Sequence, residues 1–581
     1  MESQSIKSFG FLLCILICIS LSNLIIYFRG KNESHLKTHS YLLHLNYFFP
    51  VFSYLSFTDQ VDESYIWAGK VQSLLSSGRM GVKLFDGTYG ESSVSIIQPV
   101  ISAALKAVLP LTYEQALYIP GIVSIYILIY FWSKTAATLS LSLLSSIIPI
   151  GFLMTSYGFL QNVSLSFDVT ISLLAIFLVY KESIKSTAQM AWVPVLVSLT
   201  PLIRIEFLIL ILLWIFAFTI EIYNRRIQLS TYLKSISLLL IPTLFACVYK
   251  FWAFGDLLPA MVHFKFQNYD LASIVRIIAY YVRALGYVAT TILAIVVFVY
   301  LINTRLKSEV KTLLFIYLKL PIFQKATLVF IVIQFLAPVL AGPDYHGERL
   351  QRYIIVPLSL SIFIYFMHRD FLWKESIRKT LVLQKGITFF LILIISISLE
   401  SHAYAIKEGK WFDIQSRPSR AHCDELIGPE IRKFWHSKSS APLVIATSEA
   451  NGISFSSGAR LLDLAGVVDA RNYPVDANPI SPGNLYGRYT FKESIAKELP
   501  SILWPYKSEH CTFYNEIDFD SKIENSELIE TAYSSEWARY WFPSLNSLFK
   551  LGYCPGRVEA KKENFQAIAV FLYYCKTKIS L

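Results

Sequence analysis

Apolar runs of about twenty residues, the length that carries a helix across a bilayer, recur along the first 400 positions of this 581-residue chain. They fall near 9–28, 94–110, 116–133, 137–155, 163–180, 195–221, 232–252, 284–303, 326–341, 352–367 and 386–400. Lipid offers no water to the backbone, so each run must satisfy its own amides, and a helix does so. With 54% apolar and only 16% charged residues, the chain belongs to the membrane class. The first run is too long for a signal-peptide core and no small-x-small site follows it, so it reads as an uncleaved anchor. After Glu400 short apolar stretches alternate with polar turns. The expected fold is a polytopic α-helical membrane domain of about eleven transmembrane helices over 1–400, followed by a soluble extracytoplasmic α/β domain over 401–581.

The net charge of +11 does not point to nucleic acid, because the positives concentrate in loops between apolar runs. Arg225, Arg226 and Lys234 form one group; Arg305, Lys307, Lys311, Lys319 and Lys325 a second; Arg369, Lys374, Arg378, Lys379 and Lys385 a third. The positive-inside rule makes these loops cytoplasmic. The loops at 253–283 and 342–351, and everything after Glu400, then lie outside. If the N-terminus is inside, the first loop, at 29–93, is outside, and five crossings link it to Arg225. That count leaves Lys181 and Lys185 on the outer face, against the rule. Splitting 190–221 at Arg204 mends the lysines but breaks the parity. Tyr41–Phe57 is also apolar enough to be re-entrant or interfacial.

Of seven cysteines, Cys14, Cys18 and Cys247 sit in apolar runs and read as core packing. Cys423, Cys511, Cys554 and Cys575 follow Glu400. Four cysteines in an exported domain fit two disulfides, or four free thiols. No CxxC or zinc spacing is present.

The first outer loop holds Asp59, Asp62 and Glu63 in five residues. Ionisable groups near a bilayer are costly and tend to be functional. Apolar positions at helical spacing follow (Tyr65, Ala68, Val71, Leu74, Leu75), which predicts a helix on the membrane surface, ended by Gly78. Phe85–Ser93 is turn-like and carries Asp86 and Glu91, so two acidic groups can face one another across the outer mouth of the bundle. Arg204 and Glu206 stand inside the longest apolar stretch. They are either functional or a structural ion pair. The loop after Phe254 brings Asp256, His263 and Lys265 outside, and the loop at 342–351 leads into Arg349 and Arg352.

These landmarks, in this order, resemble the GT-C superfamily of membrane glycosyltransferases. The acidic pair Asp62-Glu63 with its amphipathic helix and Gly90-Glu91 turn resembles the opening of that family. So do Arg204-Ile205-Glu206, Phe254-Gly255-Asp256-Leu257-Leu258-Pro259 with Lys265, Gly342–Pro357, and Leu462–Asp469. The nearest named members are bacterial polyprenyl-phosphoarabinose-dependent terminal arabinofuranosyltransferases. Two departures stand out: the family's second aspartate is Glu63 here, and its Asn-Thr after Gly-Asp-Leu-Leu-Pro is Ala260-Met261. The low alanine and glycine content argues against assuming an arabinan acceptor.

The resemblance implies inverting transfer of a sugar from a polyprenyl-phosphate donor to a cell-envelope glycan or glycolipid, at the outer face of the bacterial inner (plasma) membrane. That reaction needs a carboxylate to take the acceptor proton, and Asp62 or Glu63 is expected as catalytic base, with Asp59 as a substitute. It also needs cations to hold the leaving phosphate: Lys265, Arg349 and Arg352, with His263 and Arg204 behind them. Asp256, Glu206 and Glu91 would orient these groups. Asp463 and Asp469 either shape acceptor binding or cap turns. The plain alternatives are a capped helix for the acidic pair and headgroup anchoring for the cations. A divalent cation can fit between acidic loops, but no residues at metal-ligand spacing demand one. The rival from another class is a transporter or flippase for lipid-linked sugars. The long acidic loop, the exported domain and the absence of internal repeats stand against it. A non-catalytic envelope-assembly factor would need no acidic pair.

Overall fold

A computed structural model describes residues 2–29, 42–48, 50–51, 62–90, 95–141, 143–155, 168–183, 192–254, 320–341, 356–364, 420–447, 452–464, 491–504, 509–513, 542–562 and 565–575, with a few single positions between them. They are mostly helical. In chain order the elements are α1 (Glu2–Arg29), α2 (Asp62–Ser77), β1 (Val82–Lys83), β2 (Tyr89–Gly90), α3 (Ile97–Val108), α4 (Tyr113–Thr138), α5 (Leu143–Thr155), α6 (Asp168–Glu182), α7 (Val193–Ile203), α8 (Leu208–Tyr223), α9 (Leu229–Phe254) and α10 (Ile322–Ala341). A further helical stretch covers 356–364. After it come α11 (Arg420–Lys438), β3 (Val444–Thr447), α12 (Gly452–Ser457), β4 (Arg460–Asp463), α13 (Phe491–Glu498), β5 (Ile502–Trp504), β6 (Glu509–Phe513), α14 (Leu545–Leu551), β7 (Tyr553–Lys562) and β8 (Phe565–Tyr574).

Three segments among the described residues are long and apolar enough to cross a membrane: Gln115–Thr138, Ile205–Tyr223 and Leu229–Trp252. This is fewer than the eleven runs of the sequence. Shorter apolar helices cover Phe11–Ile26, Ile97–Val108, Val193–Ile203 and Ile322–Gln334. The runs at 284–303 and 386–400 lie outside the described residues.

Two runs behave differently from expectation. The run at 195–221 is broken at Arg204, whose backbone is extended (φ −151°, ψ 131°) before a 3-10 turn at Ile205–Phe207. The chain changes direction there, and simple lengths exclude a straight continuation. Residues 224–228 turn α8 into α9, and Thr243 stands about 21 Å up α9 at 1.5 Å per residue. Its hydroxyl meets the Ser198 carbonyl at 3.3 Å. On a straight continuation of α8, Ser198 would stand about 37 Å up. The run at 94–110 is no crossing: α3 has 12 residues, about 18 Å. Its start is held where α7 ends, by Ile96 N–H on the Leu202 carbonyl at 2.7 Å. Just past its other end, Tyr113 meets Phe455 of α12 edge-on at 5.5 Å.

The surface of the bundle is apolar. On α9, Leu233, Leu240, Ile241, Leu244, Phe245 (72% exposed) and Val248 point outward, while Ser235, Thr243 and Lys250 are buried. Leu13, Ile17, Leu21 and Leu24 do the same on α1, and Leu212 and Phe216 on α8. Cys14 and Cys18 are exposed on α1, not packed in a core as expected, because that helix also turns its apolar side outward.

The last part has the opposite pattern. Its six strands run in the order β4-β3-β5-β8-β6, with β7 paired to β8. β3 is parallel to β4 and β5, and the β8 pairings are antiparallel. Ile427, Ile431 and Trp435 of α11 bury one face with Ile445, Ile502 and Trp504; Tyr533, Phe542 and Leu548 cover the other with Leu462 and Leu503. Ser544 caps α14, and Gly552 (φ +100°) ends it in the left-handed region that favours glycine. Cys554 and Cys575 form a disulfide beside the β7–β8 pair. The Cys423 and Cys511 side chains lie outside the described residues.

Candidate functional site

Two features among the described residues are candidates for chemistry. The first is α2. Asp62 and Glu63 are its first two residues; their side chains, like Asp59, lie outside those described. Gly78 (φ +67°) ends the helix as the sequence predicts, its N–H on the Leu74 carbonyl at 3.0 Å. The helix does not simply lie on a surface. Trp67, Ala68 and Val71 enter the core with α3 and α4, and Lys70 is fully buried, its amine 5.5 Å from the Trp67 ring centre. Leu75, expected in the buried stripe, is 43% exposed because the stripe runs through Trp67 and Lys70 instead.

On its other side α2 meets α12 and the β1–β2 hairpin. Gly69 has Phe455 and Val82 within 3.9 Å of where a Cβ would stand. Leu84 forms a parallel bridge with Leu461, Phe85 N–H reaches the Leu461 carbonyl at 2.9 Å, and Arg460 reaches the Phe85 carbonyl at 3.5 Å. The hairpin thus covers the edge strand β4, which would otherwise offer unpaired amides. Asp86 does not face Asp62 as a free acid: its carboxylate accepts from Thr88 N–H at 2.9 Å and Thr88 Oγ1 at 2.6 Å, holding its own turn.

The second feature is a cleft floored by Arg204. Arg204 is buried, donates to Asp168 Oδ2 at 2.5 Å, and is paired through Nε with Glu206. Two of the five guanidinium N–H donors are engaged by these carboxylates, which fix the side chain in place. Glu206 does orient a cation, but this one. Val169, Ser172, Phe207, Gln334, Val356 and Pro357 line the cleft with Arg204. Ser172 Oγ, buried, has no hydrogen-bond partner among the described residues. Asp168, Ser172 and Gln334 escaped the sequence reading. Asp168 had a signal, a lone carboxylate inside the run 163–180; the other two needed the fold.

The remaining candidates are not brought together here. Asp463 ends β4, buried and in register with Thr447, so it belongs to the interior of the sheet. Glu91, Asp256, His263, Lys265, Arg349, Arg352 and Asp469 lie outside the described residues. Among those described, no group of three or more His, Cys, Asp or Glu could hold a metal ion. No protein-family model and no curated protein matches this chain.

Proposed function

We propose that this chain is a membrane glycosyltransferase of the GT-C type, with about eleven crossings, that moves a sugar from a polyprenyl-phosphate donor to a glycan or glycolipid outside the bacterial plasma membrane. The observation that carries this reading is the seam holding α2. A helix that opens with Asp62 and Glu63 is clamped between an apolar-surfaced bundle and a sheet domain, where a lipid-borne and a water-borne substrate would meet. The Cys554–Cys575 disulfide supports an oxidising, exported side for the sheet. The basic turn at Arg225-Arg226, which the positive-inside rule makes cytoplasmic, supports the same orientation.

In the proposed step Asp62 or Glu63 takes the proton from the acceptor hydroxyl as that oxygen attacks the anomeric carbon. The bond from that carbon to the phosphate oxygen breaks, and polyprenyl phosphate leaves with the electron pair. Lys265, Arg349 and Arg352 are the phosphate-binding candidates. Arg349 and Arg352 stand just before the cleft-lining Val356 in the sequence. The test is transfer from radiolabelled polyprenyl-phosphate sugars by membranes carrying wild type, Asp62→Asn or Glu63→Gln. Loss of transfer in one variant that still folds and binds donor identifies the base; equal activity in all three removes the acidic pair from the chemistry.

One observation favours the transporter reading instead: Asp168, Arg204 and Glu206 bring ionisable side chains together where the apolar run at 195–221 breaks. Proteoliposomes separate the two. A transporter moves a lipid-linked sugar between leaflets without forming a new glycosidic bond.

A further inference from the structure

The outward stripe of α9 changes character at its end. Leu240, Ile241, Leu244, Phe245 and Val248 carry no polar atom in their side chains; one turn on, the stripe passes into Phe251 and Trp252, and Trp252 is 65% exposed. Arg79, also exposed, stands over that indole, its guanidinium carbon 5.7 Å from the ring centre. From Leu229 to Trp252 the helix rises about 35 Å, a little more than a hydrocarbon core of about 30 Å. Trp252 therefore falls where hydrocarbon gives way to headgroups, the level that suits an amphipathic indole and a snorkelling arginine. Tyr223, Arg225 and Arg226, exposed beyond the other end of the span, mark the second boundary.

The corner around Arg79 is held by side chains from three elements. Met80 N–H reaches the Tyr249 hydroxyl at 3.3 Å, the Tyr249 and Trp252 rings stand 6.1 Å apart, and the Tyr89 hydroxyl reaches Ser77 Oγ at 3.1 Å. These contacts tie the end of α2, the β1–β2 hairpin and the end of α9 together. Among the described residues Arg79 pairs with no carboxylate; its one contact of this kind is the indole face. Asp86, the carboxylate of the hairpin, is taken up by Thr88, and Lys83 adds a second exposed positive charge. A cation with unused N–H donors thus stands at the rim of an apolar face, which calls for an anion at the same level.

We propose that Arg79, stacked on Trp252, binds the phosphate of a membrane phospholipid whose chains lie along the outward face of α9. A guanidinium suits a phosphate because two parallel N–H donors can meet two of its oxygens. Since Arg79 follows directly on Gly78, the bound headgroup fixes the end of the acidic helix α2 at the membrane surface. The inference stands on the membrane reading alone and not on the transfer reaction.

The full chain, purified in detergent, is titrated in native mass spectrometry with dioleoyl phosphatidylglycerol, with dioleoylglycerol, which lacks the phosphate, and with inorganic phosphate. Arg79→Gln should bind one phosphatidylglycerol about tenfold more weakly than wild type, with dioleoylglycerol binding and the melting temperature unchanged. Arg79→Lys should fall between the two, because an ammonium keeps the charge and loses the paired donors. Equal phosphatidylglycerol binding by wild type and Arg79→Gln overturns the site. Equal weakening toward dioleoylglycerol overturns it as well, since the loss is then one of packing. Inorganic phosphate bound as tightly as the lipid assigns Arg79 to a soluble anion and overturns the lipid. In vesicles, Trp252→Leu should remove part of the tryptophan fluorescence that phospholipid brominated near the headgroup quenches. An unchanged quenchable fraction means that protein covers Trp252, and overturns the placement at the headgroups.

Discussion

Helices α9 and α11 use the same physics in opposite senses. In α11 the residues four apart, Ile427, Ile431 and Trp435, turn inward, because water drives apolar surface out of contact with it. In α9 the corresponding repeat, Leu233, Leu240, Leu244 and Val248, turns outward, and Ser235 and Thr243 turn in. With lipid outside there is no gain in hiding a leucine. Helix contacts instead form through small and polar groups such as the Thr243–Ser198 bond. Hydrophobic periodicity thus finds the helix in either case. It gives the inward side only when the solvent is known.

That contrast breaks most visibly at the charges. Removing one partner from a buried ion pair should be the largest single-residue effect: Arg204→Leu is expected to lose about 3–5 kcal/mol, read by thermal unfolding in detergent. Converting Asp168, Arg204 and Glu206 together to apolar residues should recover much of this if the cluster only braces the break at Arg204. A loss of donor binding in that stable triple variant would assign it a further role. A lysine on the outward face of α9 comes next. Phe245→Lys should cost about 3 kcal/mol of insertion if this face meets lipid, seen as a smaller membrane-integrated fraction; normal integration would mean the face is covered by protein.

The sheet should respond to a different agent. Replacing Cys554 and Cys575 by serine opens a link spanning 21 residues and should lower sheet stability by about 3 kcal/mol, followed by hydrogen exchange in β7 and β8, with α9 unaffected. Gly428→Ala is smaller. A Cβ there would stand 2.7 Å from the Ser456 backbone, forcing α11 off α12 at about 1–3 kcal/mol, measurable as a lower denaturant midpoint.

The smallest effect is set by pH. Burial pushes the Tyr533 and Tyr553 hydroxyls above their usual value of 10.0. The unfolded chain therefore releases these protons first, so their contribution is complete below pH 10 and fades as pH rises beyond it. Alkaline titration should therefore loosen the sheet, and Tyr553→Phe should delay that loss.

Several elements were legible from residues alone. Gly78 as a helix end and the acidic pair at a helix start rest on local chemistry that the structure keeps. Lys70 and Asp168 were not legible as buried groups, because each is a single polar letter in an otherwise ordinary helical pattern. Burial becomes informative only when a neighbour from far along the chain covers the residue, as Arg204 covers Asp168 from 36 positions away.

By itself the sequence determined a chain with an apolar helical first part, a polar-turned last part, and ionisable groups concentrated between the apolar runs with a few inside them. Those properties follow from backbone self-satisfaction and the cost of charge near lipid, which act on each segment separately. Tertiary structure broke the apolar run at 195–221 at Arg204 and tied the start of α3 to the end of α7. It pinned Arg204 between two carboxylates, and it set the first loop as the edge of a sheet whose strands begin more than 350 residues later. Such outcomes depend on pairings between distant segments, where the free energy belongs to the contact and is written in neither segment alone.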